Sequence, residues 1–175
     1  MRFATCVASA VVAACALGCA TAPSGSTLPE TAVSLRYRTL DGGLATLGRL
    51  RGRVVLVTVM ATWADTALLE VPLLKTMHAR HAAAGLEVVA LAVDEAPLAV
   101  QVFAEQFEVP YTIGLSEDDR TLMGPRGPFG EITRLPTSVL LDRNGVIAVR
   151  SDGMWDPAFL EAAIQRLLAS DPSDV

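Results

Sequence analysis

Residues 53–72 read RVVLVTVMATWADTALLEVP, and this stretch decides the fold. Arg53 to Met60 is almost entirely apolar and β-branched, the pattern of a strand covered on both faces. The pattern changes abruptly at Ala61-Thr62-Trp63. From Ala64 to Ala84, Leu68, Val71, Leu74, Lys75 and His78 recur at intervals of three and four, which predicts a long helix closed by Gly85. Pro72 lies inside it and is expected to kink it. Leu86 to Val93, LEVVALAV, returns to the buried-strand pattern. Strand, helix and strand in this order imply a parallel pair joined by a right-handed crossover.

The same reading extends in both directions. Pro97 to Phe107 places Val100, Phe103 and Phe107 on one helical face, and Val109 to Gly114 reads as a short strand or extended piece. Residues 124–130, GPRGPFG, read as a loop. Pro136 to Asp142 is a strand, Asn144-Gly145 a tight turn, and Val146 to Arg150 its antiparallel partner. Asp156-Pro157 is an N-cap followed by a first-turn proline, opening a helix that runs to about Leu168. Upstream, Asp41-Gly42-Gly43 separates Leu35–Arg38 from Leu44–Leu47, a hairpin signal. The expected class is α/β, a central mixed sheet flanked by helices with an N-terminal β-hairpin extension.

The 175 residues are 51% hydrophobic and 19% charged, which suits one packed domain and excludes global disorder. The net charge of −5 gives no electrostatic reason to bind nucleic acid. All three cysteines, Cys6, Cys15 and Cys19, fall before Ala20. Residues 20–175 therefore contain no thiol for a disulfide, a nucleophile or a metal site. Arg2 followed by the apolar Phe3–Leu17 has the layout of a secretory signal. Ala16-Leu17-Gly18-Cys19-Ala20 resembles a bacterial lipoprotein signal, with Leu17 one place later than usual. That resemblance implies lipidation of Cys19, and Ala20 in place of an aspartate favours the outer membrane. Ordinary cleavage after Ala20-Thr21-Ala22 is the rival reading, disfavoured by Pro23. The expected organisation is a signal peptide over 1–18, a lipidated start and flexible tether over 19–32, a domain over 33–170 and a tail over 171–175.

Leu50–Val57, Ala61-Thr62-Trp63, Glu70-Val71-Pro72, Gly85–Val89, Leu135-Pro136-Thr137, Leu141–Gly145 and Gly153 together resemble the TlpA/ResA-type thioredoxin-like proteins, over about residues 34–170. The resemblance implies a thioredoxin-like fold of the redoxin kind. It also implies the family activity, thiol–disulfide oxidoreduction by a WCxxC motif at the start of the long helix. Here that motif reads Trp63-Ala64-Asp65-Thr66-Ala67, with Ala64 and Ala67 in the two cysteine positions. Dithiol exchange needs one thiolate to attack and a second thiol to resolve the mixed disulfide, and alanine supplies neither. The resemblance further implies a cis proline at Pro136, preceded by backbone that pairs with an extended peptide. Trp63, Asp65, Leu135 and Pro136 are thus candidate groove residues. Pro136 as a mere strand start, and Trp63 as a core aromatic, stand as the plainer readings. Glu70 matches a family glutamate near the dithiol; without thiols it reads as a leftover or a surface charge.

His78 and His81 read as two solvated histidines with no metal set around them. Arg49, Arg51 and Arg53 read as a small solvated basic loop, and Glu117-Asp118-Asp119 as a solvated acidic one. The expectation is an exported, periplasm-facing lipoprotein without cofactor or metal. It would be held to the membrane by its lipid and would bind an envelope protein or an extended peptide segment. A working oxidoreductase is the alternative that the family activity implies.

Overall fold

The structure, a computed structural model, describes residues 31–93 and 96–170. The signal segment, the three cysteines, most of the tether and the 171–175 tail lie outside the described residues. Seven strands form one sheet: β1 Arg36–Thr39, β2 Leu44–Thr46, β3 Val54–Met60, β4 Leu86–Ala92, β5 Thr112–Ser116, β6 Thr137–Leu141 and β7 Ile147–Asp152. Four α-helices accompany them: α1 Asp65–His81, α2 Pro97–Gln106, α3 Asp119–Met123 and α4 Pro157–Ala169. This is the thioredoxin-like arrangement expected from the sequence.

The strand order is β2-β1-β5-β4-β3-β6-β7. β3, β4 and β5 run parallel, while β1, β2, β6 and β7 attach antiparallel. All seven positions of β3 are buried because it lies inside the sheet with side chains packed on both faces. The two right-handed crossovers, β3-α1-β4 and β4-α2-β5, step in the same direction and place α1 and α2 on one face. Leu74, Met77, Val100, Phe103, Leu160 and Ile164 fill that face. The return from β5 to β6 must pass back across the sheet, and Leu122, Phe129 and Ile132 pack on the opposite face.

Several elements differ from the sequence reading. The N-terminal hairpin is present as expected and extends the main sheet, where β1 pairs with β5 and Thr39 stands opposite Gly114. The Tyr37 ring lies over Gly114, where an added Cβ would sit 2.3 Å from a ring carbon, so only glycine fits beneath it. The strand expected over 109–114 begins instead at Thr112. Val109 N–H donates to the Ala104 carbonyl and Glu108 has φ 45°, so the turn that ends α2 consumes those residues. The Glu117–Asp119 run is a helix start rather than a loop: Asp118 caps α3 by accepting from Thr121 N at 3.1 Å. α1 continues through Pro72 to His81, and a tighter turn over Ala82–Ala84 ends at Gly85, φ 107°. β7 runs to Asp152, two residues beyond the expected end. Arg53 ion-pairs with Glu87 at 3.3 Å. Among the described residues no helix is long and apolar enough to cross a membrane.

Candidate functional site at the α1 entry turn

β3 delivers the chain to the turn Ala61–Ala64, and Ala64 N–H donates to the Ala61 carbonyl at 3.0 Å. Ala64 is the N-cap of α1, in extended conformation with no side-chain cap. Alanine is among the poorest residues for this position and costs about 1 kcal/mol relative to Ser or Asp. A local rule is therefore broken at the mouth of the site. Trp63 is 66% exposed, so its ring faces solvent rather than the core. Asp65 is exposed in the first turn, where its charge suits the helix N-terminus. Ala64 is half-buried and Ala67, one turn on, is 2% exposed.

The Leu135–Pro136 peptide is cis. Val59 pairs with Thr137, so Pro136 lies one step further, beside Met60 and the turn that opens α1. Leu135 and Ala64 both pack on the rim of the same apolar cluster. The Pro136 carbonyl accepts from Gly153 N–H at 2.8 Å, which fixes the glycine before α4 against the proline loop. The structure thus brings Trp63, Ala64, Asp65, Leu135 and Pro136 to one end of the sheet. Pro72 is exposed on the other side of α1, on a cleft of about 550 Å³ that also touches Leu69, Pro157 and Glu161. Cys19 lies outside the described residues.

Glu70 corrects the sequence reading most sharply. It is no surface charge: its exposure is 0%. Thr58 Oγ1 donates to Glu70 Oε2 at 3.0 Å, Ser138 Oγ lies 3.3 Å from Oε1, and the two hydroxyl oxygens lie 2.9 Å apart. Burial pushes the Glu70 carboxyl up to about 7, against the opposing pull of the two hydroxyls. The Tyr111 phenol is raised as well, first by its own burial and then by the negative charge of Glu70. Sequence reasoning missed Thr58, Ser138 and Tyr111. Thr58 is the one hydroxyl residue in apolar β3, a signal the sequence carried, and the structure sets Ser138 directly opposite it.

The histidines are not simply solvated either. His81 and Glu161 of α4 meet at 2.8 Å, and Arg80 joins the same carboxylate at 3.3 Å. His78 is partly buried against Tyr111, ring centroids 6.4 Å apart. Among the described residues no group of three His, Cys, Asp or Glu side chains is placed to hold a metal.

A family profile described as Redoxin matches residues 23–156. A thiol-disulfide oxidoreductase ResA from Bacillus cereus is 25% identical over 128 residues, 73% of this chain and 71% of its own length. The ResA protein of Geobacillus thermodenitrificans is 30% identical over 123 residues, 70% of this chain and 66% of its own. Among solved structures, a thiol:disulfide interchange protein of the thioredoxin family from Chlorobium tepidum superposes with a TM-score of 0.69. It is 23% identical and spans 81% of this chain and 97% of its own.

Proposed function

The chain belongs to the redoxin family, and from that premise we propose that it is a redox-inactive member that binds a peptide segment or partner protein in the groove at the α1 entry turn. One observation carries the reading: residues 20–175 contain no cysteine, and Ala64 and Ala67 occupy the first turn of α1. Without a thiolate there is no attack on a disulfide, and without a second thiol no release of a mixed one. The binding half of the site is supported by the exposed Trp63 ring at the same end of the sheet as the cis Leu135–Pro136 peptide. Export and a lipid anchor at Cys19 belong to the same proposal and rest on the residues before Ala20. The domain's N-terminal end is tied to the far pole: Val33 N–H donates to the Gly145 carbonyl, at the turn beyond β6. An anchor entering there joins the domain at the end opposite the groove.

The names of the relatives favour a second reading, a thiol–disulfide oxidoreductase. Insulin reduction separates the two. The expected result is no turnover above the dithiol background for a chain starting at Ala20, and measurable turnover would establish the second reading. For the groove, photocrosslinkers at positions 63 and 135 in whole cells are expected to capture a discrete partner. Crosslinking no different from that of a probe at exposed position 98 would remove the binding claim. For the anchor, mass spectrometry of the mature N-terminus is expected to find a diacylglyceryl-modified Cys19; an unmodified start at Thr21 or Pro23 refutes it.

A further inference from the structure

Glu70 on α1, Thr58 on β3 and Ser138 on β6 form a triangle of side chains, their four oxygens linked by contacts of 3.0, 2.9 and 3.3 Å and sealed from solvent. The triangle has three edges, and its two hydroxyls carry one proton each. With Glu70 ionised, two protons serve three contacts, and one pair of oxygens must face each other bare. With Glu70 protonated, each edge holds a proton. Glu70 donates to Ser138, Ser138 to Thr58, and Thr58 back to the other carboxyl oxygen. Only the neutral acid closes the ring, and a half-satisfied buried network is costly.

We propose that this ring is a proton-dependent latch: one proton held on Glu70 fastens α1 to β3 and β6, and its loss loosens the α1 entry turn from the strand that follows Pro136. Burial works in the same direction, pushing the Glu70 carboxyl up toward its protonated form against the pull of the two hydroxyls. Among the described residues no ion pair reaches Glu70 to hold the ionised form. Along β3 and β6 only the hydroxyls of Thr58 and Ser138 face the carboxyl, and neither strand contains an ionisable residue. Tyr111, before β5, faces it with an un-ionised phenol. The sole charged residue of β4, Glu87, is paired with Arg53 at the opposite end of the sheet. On α1 itself Asp65 is exposed, Lys75 donates to the Phe107 carbonyl at 3.0 Å and His78 lies against Tyr111. Glu105 of α2 is bonded to Gln101, and Glu161 of α4 is held by His81 and Arg80.

The sign of the effect follows from which state holds the proton. Glu70 binds it more tightly folded, near 7, than at its ordinary value of 4.5. The stabilisation is full below about 4.5, declines as pH rises toward 7 and is gone above it. Any consequence for partner binding rests on the proposed reading of the groove. The latch is therefore tested in the free full-length chain, where failure of the groove reading has no bearing. Carboxyl ¹³C NMR on glutamate-labelled protein is expected to show one glutamate titrating near neutral pH, absent from Glu70→Gln. In that variant the side-chain amide donates to Ser138 and accepts from Thr58 at every pH. Between pH 5 and 8 the wild-type Tm is thus expected to fall by roughly 5 °C or more relative to the variant. If every glutamate titrates below about pH 6, or the two Tm profiles run parallel, the latch is overturned. Should the variant fail to fold, amide exchange of Ala67 and Leu68 in the wild type decides: protection that drops between pH 5 and 8 beyond the intrinsic pH effect supports the latch, and unchanged protection overturns it.

Discussion

Replacing Ala64 and Ala67 together by cysteine is expected to turn a domain without thiols into one that cycles a disulfide. The two residues are one helical turn apart, with Ala67 N–H donating to the Ala64 carbonyl at 2.9 Å. Residues three apart on a helix have Cα atoms roughly 5 Å apart, within the range a disulfide spans. Their environments differ in the sense the chemistry needs. Position 64 is half-buried at the helix N-terminus, where partial positive charge favours a thiolate. Position 67 is buried and suits the resolving thiol, which stays protonated until it is used. Asp65 adds an exposed negative charge beside the first thiol, so its pKa should be less depressed than with a neutral neighbour. The check is a redox titration of the double variant in glutathione buffers, then insulin reduction. Activity should rise from background to a clear dithiol-dependent rate, while either single variant stays inert. If the pair remains reduced under mild oxidation, position 64 does not face position 67. The reading of this turn as a former dithiol site would then be withdrawn.

The part of the molecule that sequence could reveal is the part written in periodicity. RVVLVTVM and LEVVALAV have no other good home than buried parallel strands, and β3 and β4 sit where they were expected. The Asn-Gly turn and the Asp-Pro helix start are local chemistry and were equally legible. What sequence hid depends on partners distant along the chain. Glu70 reads as charged and therefore exposed; its burial depends on Thr58 and Ser138, which are 12 and 68 residues away. His81 finds its acidic partner on α4 rather than on its own helix, so no i, i+4 spacing could disclose it. The start of β5 lies three residues later than read because the turn after α2, with its left-handed Glu108, takes in Val109. The entry turn of α1 is a different case. Ala64 was legible as a substitution from its neighbours Trp63, Glu70 and Pro72, while its position as an uncapped helix start was not.

Phe129→Ala is expected to be the most destabilising single substitution outside the site, although its glycine- and proline-rich segment reads as a plain loop. GPRGPFG is irregular, yet Phe129 is 1% exposed and packs with Leu122, Ile132, Val139 and Ile147 beneath the sheet. Sequence patterning could not find it, because a single inward aromatic in a loop has no period. The backbone around it is held by one side chain. The Arg150 guanidinium donates to the Phe129 carbonyl, to the Glu131 carbonyl at 2.6 Å and to Asp152 at 2.7 Å. Gly127 is required for close approach: a Cβ there would lie 2.4 Å from the Leu122 carbonyl. A loop so tied at its backbone cannot collapse into the space a missing ring leaves. The loss should therefore sit in the upper part of the usual range for Phe→Ala, about 3–5 kcal/mol. Urea denaturation with an unchanged m-value measures it, against Leu98→Ala at an exposed position as a control within about 0.5 kcal/mol of wild type. A cost below about 1 kcal/mol would show that the loop relaxes freely. That result would reach the groove as well, since the same segment runs on through Ile132 to Leu135 and Pro136. Its rigidity sets where the proline stands against the first turn of α1.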